Sequence, residues 1–277
     1  MRKLSSIILM AVFCLGVGIH GARADSTPVS TPVRIVLPYI PLMAEGPTEG
    51  FFIEMYQEIA KRTDKDIVID VAPPRRAVQA FVSGDYDALG AFPSLTALPV
   101  SLASVPFYLR ENLIFYKSGH FPANSLQHPD NLAGHTVGLS AYPYPPAITN
   151  LAGVNFERAP NDQSLLRMLA NGRLDAAILE KFSGFHLREQ LGLSDVIDIA
   201  DVSVTTENIF PLFQANRQGI ENQKAFNLAL YDMLCDGTLA TLFGRDDVVP
   251  DLSLLERDIP AQNQRKDCVA SGSNKTR

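Results

Sequence analysis

Residues 73–96 read PPRRAVQAFVSGDYDALGAFPSLT. Ala77, Ala80 and Phe81, with Val78 beside them, fall at helical spacing, so a helix should run into Gly84, which can take a positive φ and end it. Tyr86 to Phe92 then reads as a short strand too continuously apolar to have a wet face, the pattern of a buried parallel strand. The same grammar returns in residues 164–180, SLLRMLANGRLDAAILE. Gly84-Asp85-Tyr86-Asp87-Ala88 becomes Gly172-Arg173-Leu174-Asp175-Ala176, displaced by 172 − 84 = 88 residues. Two such units imply two similar α/β lobes, and ligands of open α/β sheets sit at the ends of such strands. The matched places of Asp87 and Asp175 suggest a structural role at a strand start rather than paired catalytic carboxylates.

Upstream, Arg2 and Lys3 precede an apolar run from Leu4 to Ile19, and Ala22-Arg23-Ala24 supplies a small-x-small cleavage pattern. Residues 1–24 therefore read as a cleaved secretory signal peptide, and the mature chain as periplasmic. No later stretch is long and apolar enough to span a bilayer, so no stable membrane insertion is expected. The formal charge of −6 becomes 21 − 30 = −9 once Arg2, Lys3 and Arg23 are removed. That acidic balance argues against nucleic acid and anionic membrane as partners. Cys235 and Cys268 remain after the leader is gone. A structural disulfide is the expectation in an oxidising compartment, with two unpaired thiols as the other reading.

Alternating strands and helices give α/β with mainly parallel sheets. Lobe I is expected over residues 33–116 plus 206–256, and lobe II over 118–203. Crossings near Tyr116-Lys117 and Val204-Thr205 would form a hinge. Residues 259–277 have almost no apolar content and read as a disordered tail.

Four motifs carry a resemblance. Gly50-Phe51-Phe52-Ile53-Glu54-Met55 opens a helix ending in Ala60-Lys61-Arg62, and the Gly-x-x-Asp-Ala strand follows. Leu132-Ala133-Gly134-His135-Thr136-Val137-Gly138 and Asp236-Gly237-Thr238-Leu239-Ala240 complete the set. In this order they resemble the periplasmic solute-binding proteins of the polar amino-acid ABC uptake class (extracellular solute-binding family 3). The resemblance implies a two-lobed type II periplasmic-binding-protein fold with a hinge and an inter-lobe ligand cleft. It also implies a non-enzymatic monomer without cofactor that hands a small molecule to an ABC permease.

Matched residue by residue, Tyr39 would stack on the ligand, Ser94 would offer a hydroxyl, and Glu180 would hold an amino group. The family's Thr-x-x-Arg is replaced by Ser94-Leu95-Thr96-Ala97-Leu98-Pro99, and its Gly-Thr-Thr turn by Ser140-Ala141-Tyr142-Pro143-Tyr144. Both halves of the usual carboxylate site are gone, so an amino-acid-like compound or an organic acid is expected instead. Arg76, at a helix start, is the expected replacement cation. Phe92, Tyr142 and Tyr144 would form an aromatic wall, with Tyr144 the weakest of the three, and Phe52 is a further expected ligand-binding residue. The histidines show no metal-ligand spacing, so no metal site is expected. Two other readings share these residues. One is an enzyme similar to cyclohexadienyl dehydratases, with Glu180 as general acid; the other is an accessory or sensory binding protein uncoupled from transport.

Overall fold

The computed structural model describes residues 31–93, 98, 101–142, 144–257, 259–265 and 268. The expected leader lies outside them. The chain opens with β1 (Val33–Pro38), α1 (Phe51–Thr63), β2 (Ile67–Ala72), α2 (Pro74–Val82) and β3 (Ala88–Pro93). A short β4 (Ser101–Ala103) and a long β5 (Tyr108–Lys117) follow. Next come β6 (Thr136–Ser140), α3 (Pro146–Thr149), β7 (Asn155–Ala159), α4 (Asp162–Ala170), β8 (Ala176–Glu180) and α5 (Lys181–Gln190). Then come β9 (Ile197–Gln214), α6 (Arg217–Cys235), α7 (Thr238–Phe243) and α8 (Leu252–Glu256).

The strands form one sheet in the order β2-β1-β3-β9-β5-β8-β6-β7, with β4 alongside β9. β1 runs parallel to β2 and β3, and β6 runs parallel to β7 and β8. The antiparallel pair β5–β9 joins these two parallel halves. This is the expected two-lobed α/β arrangement. Lobe I packs Ile35, Phe52, Ile53 and Tyr56 against Phe226 and Leu230 of α6. In lobe II, Leu179 packs on Leu165 and Leu169 of α4 on one side of the sheet, while Ile178 shares the other side with Val137 and Leu139 of β6.

The repeated motif works the same way in both lobes. Gly84 (φ 83°) and Gly172 (φ 70°) are left-handed. After α2, Gly84 N donates to Phe81 O and Asp85 N to Ala80 O; after α4, Gly172 N donates to Leu169 O and Arg173 N to Met168 O. These are matched Schellman closures. Each aspartate then clasps the neighbouring strand. Asp87 N donates to Arg34 O while its Oδ2 accepts Arg34 N at 2.8 Å; Asp175 and Thr136 repeat the exchange, also at 2.8 Å. Asp87→Ala and Asp175→Ala are each expected to cost about 1 kcal/mol by urea unfolding. The asparagine variants keep an acceptor and should recover most of it. No loss at either position would remove the clasp from the account of the motif.

Several boundaries differ from expectation. The strand expected from Tyr86 starts at Ala88, because Tyr86 and Asp87 are spent on the turn and clasp. The segment expected as a strand to Ala200 plus extended chain is a single strand of 18 residues, β9. The strand expected from Asn112 begins at Tyr108, and its residues Asn112 to Tyr116 pair with β8. The described tail residues are anchored. Ile259 is buried in the lobe I core, Arg265 N donates to Tyr231 Oη at 2.9 Å, and Cys268 is disulfide-bonded to Cys235. Apolar content alone misses this, since a covalent tie and one buried isoleucine hold the segment. No helix among the described residues is long and apolar enough to cross a membrane.

Candidate functional site

A cleft of about 540 Å³ lies at the carboxyl ends of β1, β3, β6 and β8, where Pro38, Pro93, Ser140 and Glu180 meet. The volume suits a small molecule. Lobe I contributes Tyr39, Phe52 and Ala91, lobe II contributes Tyr142, Tyr144 and Asp162, and β5 and β9 contribute Arg110 and Glu207. The lobes touch around it: Phe51 meets Phe182 edge to face at 4.9 Å, and Tyr108 Oη donates to Glu180 Oε1 at 2.7 Å.

Glu180 ends β8 and caps α5. Its Oε1 accepts Phe182 N at 3.0 Å and its Oε2 accepts Ser183 N at 2.9 Å. A carboxylate satisfies two orphan amides here and meets the positive end of the helix dipole. Neither basic neighbour is its partner. Lys181 Nζ lies 2.7 Å from both Glu111 and Asp247, and Arg188 donates to Ser194 O. Burial and the facing Glu180 charge push the Tyr108 hydroxyl well above the ordinary tyrosine range, so it stays a donor.

Asp162 opens α4. Burial pushes its carboxyl above the usual carboxylate range, and the Ser140 hydrogen bond pulls it back. Glu180 adds a further upward push, and Arg110 a downward one. Tyr144 is fixed by a bond to Ile178 O at 3.1 Å and contact with Ser140 Oγ at 3.0 Å. Arg110 and Glu207 are register partners on β5 and β9, and Glu207 is only 4% exposed. Neither forms an ion pair among the described residues.

Of the expected site residues, Tyr39, Phe52, Tyr142 and Glu180 line this cleft. Ser94 lies outside the described residues. Phe92 does not line it: strand alternation turns Ala91 and Pro93 to the cleft and puts Phe92 in the core with Val36, Phe81 and Leu212. Arg76 does not line it either. Ala77 and Phe81 form the buried face of α2, which leaves Arg76 exposed to solvent while Pro74 reaches the cleft. Among the described residues that line the cleft, the cation is Arg110. Sequence reasoning passed over Arg110, Asp162 and Glu207; a charged residue inside an extended apolar run was the signal for the first and last.

No protein-family model matches the chain, and no curated protein does. Solved structures do. An ancestral arginine-binding protein bound to arginine aligns over 77% of this chain and 96% of its own, at 19% identity and TM-score 0.59. GshT, described with glutathione import and the cystine ABC importer of Streptococcus mutans, aligns over 81% and 99%, at 17% identity and TM-score 0.59. The VFT2 domain of BvgS from Bordetella pertussis aligns over 76% and 91%, at 20% identity and TM-score 0.55. The chain shares the two-lobed fold of these structures.

Proposed function

We propose that this protein is a non-enzymatic, periplasmic solute-binding protein whose cleft encloses a small polar solute bearing at least one protonated amine and one acidic group. The observation that carries this reading is the charge set of the cleft: Arg110 against Asp162, Glu180 and Glu207. With all four ionised, the lining is 1 − 3 = −2, which favours a solute of net positive charge and disfavours a simple organic acid. Arg110 supplies the guanidinium for the acidic group in place of the absent Thr-x-x-Arg arginine. Tyr39, Phe52, Tyr142 and Tyr144 offer aromatic faces to an alkyl or cationic body. Closure follows from contacts that exist only when both lobes hold the solute. Delivery to an ABC permease and export through residues 1–24 belong to the same reading; the likeness to an importer-associated protein supports the first.

Thermal unfolding against basic amino acids, diamines, neutral amino acids and organic acids tests it. Amine-rich zwitterions should raise the midpoint, by about 2.7 kcal/mol of stability at a hundred times the dissociation constant. The gain should vanish in Arg110→Ala and in Glu207→Gln. Stabilisation by organic acids alone would reverse the charge argument, and no response to any class would remove the transport reading in favour of a protein partner. A sensory role is the second reading, favoured by the likeness to a histidine kinase sensor domain.

A further inference from the structure

Three ligating side chains from separate segments converge at the far end of lobe II. His120 Nε2 lies 3.0 Å from Asp175 Oδ1, and His135 Nδ1 lies 3.6 Å from Asp175 Oδ2. All three donor atoms fall within 4.8 Å of one another. The backbone fixes each residue. His120 N donates to Lys117 O in the turn after β5, His135 accepts from Asn155 N just before β6, and Asp175 clasps Thr136 ahead of β8. Phe121 stands edge-on to both imidazoles, with centroids 4.9 Å away in each case, and orients the rings from one side.

We infer that His120, His135 and Asp175 form a divalent transition-metal site, best suited to Zn²⁺. Tetrahedral zinc, with bonds of about 2.0–2.1 Å to imidazole nitrogen or carboxylate oxygen, separates its donors by about 3.3–3.5 Å. The His120 Nε2 to Asp175 Oδ1 distance of 3.0 Å is close to that value, while the 3.6 Å from His135 Nδ1 is to the other oxygen, Oδ2. Two imidazoles and a carboxylate are a borderline-soft set that disfavours calcium and magnesium, which take oxygen ligands. Asp175 Oδ2 is already occupied by the Thr136 amide, so Oδ1 is the free carboxylate donor, and the amide bond holds it in place as an outer partner. The side chains are 39%, 37% and 33% exposed, which leaves room for water as the fourth ligand. The site lies apart from the solute cleft. Asp175 and Glu180 bracket β8, whose five residues at roughly 3.3 Å each separate them by about 16 Å.

Isothermal titration of tag-free, chelator-stripped protein with Zn²⁺ tests this. One equivalent should bind, with affinity lowered by at least about tenfold in His120→Ala and in His135→Ala. Both changes replace partly exposed side chains and should leave the metal-free unfolding midpoint in place. Co²⁺ offers an independent reading on the unaltered chain, where a tetrahedral site gives visible absorption that Zn²⁺ displaces. Absence of Zn²⁺ binding, or binding that persists in the double variant His120→Ala/His135→Ala, would overturn the assignment. Asp175→Ala is a poorer probe because it also breaks the strand clasp.

Discussion

Glu180→Ala is expected to destabilise the folded chain by about 2–5 kcal/mol, independently of any ligand. Two losses combine. The start of α5 gives up the acceptor for Phe182 N and Ser183 N, and loss of an N-cap typically costs about 1–2 kcal/mol. The Tyr108 hydroxyl loses its Glu180 acceptor in a buried setting, which adds about 1–3 kcal/mol. Glu180→Gln keeps one acceptor oxygen and should fall between. Urea unfolding of the three proteins separates these terms, and a cost below about 1 kcal/mol for alanine would show that neither bond supports the fold. The same change alters the cleft. Without the Glu180 charge one upward push on Asp162 is gone, so that carboxyl should ionise at lower pH, visible by NMR titration. An alanine variant that fails to bind would therefore need its stability measured before the loss is read as a missing contact.

Loss of the Cys235–Cys268 bond is the other large effect. The bond closes a sequence separation of 33 residues, and the chain-entropy relation puts that at about 3.7 kcal/mol. Cys235 is the last residue of α6, and the segment it ties back carries Ile259 into the lobe I core and Arg265 onto Tyr231. The double variant Cys235→Ser/Cys268→Ser should unfold at markedly lower urea, and a reductant should move the parent chain towards it while leaving the variant unchanged. If reductant leaves the parent transition in place, the bond does not hold the tail against the core.

The fold was legible because its deciding motif is local. A glycine that closes a helix and an aspartate that clasps the next strand are needed at fixed spacing, so both copies show in the sequence as Gly84 with Asp87 and Gly172 with Asp175. The site was legible where a residue follows directly from such a unit, as Glu180 does at the end of β8. Arg110 and Glu207 were not, because their meeting depends on the register of β5 on β9, which joins residues almost a hundred positions apart. Arg76 rested on its helix start and on a resemblance that puts the segment at the cleft edge, and the buried face of α2 leaves it in solvent instead. Phe92 shows a one-residue limit: on a strand, the neighbour of a lining residue faces away. The histidines 120 and 135 escaped for the same reason as Arg110, since linear spacing does not reveal a carboxylate brought in from residue 175.

The 18-residue β9 is paired with β5 from Ile197 to Ile209, with register shifts between Asn112 and Leu113 and between Leu113 and Phe115. A strand of that length extends about 60 Å, and irregular pairing concentrates twist and bending where it occurs. Mechanically, the two lobes are thus ends of one leaf spring rather than plates on a slack pin. On the proposed reading, opening the cleft would flex a hydrogen-bonded ribbon, and the restoring force would be set by the ladder itself. Small angles at the shifted pairs become large displacements at the lobe tips.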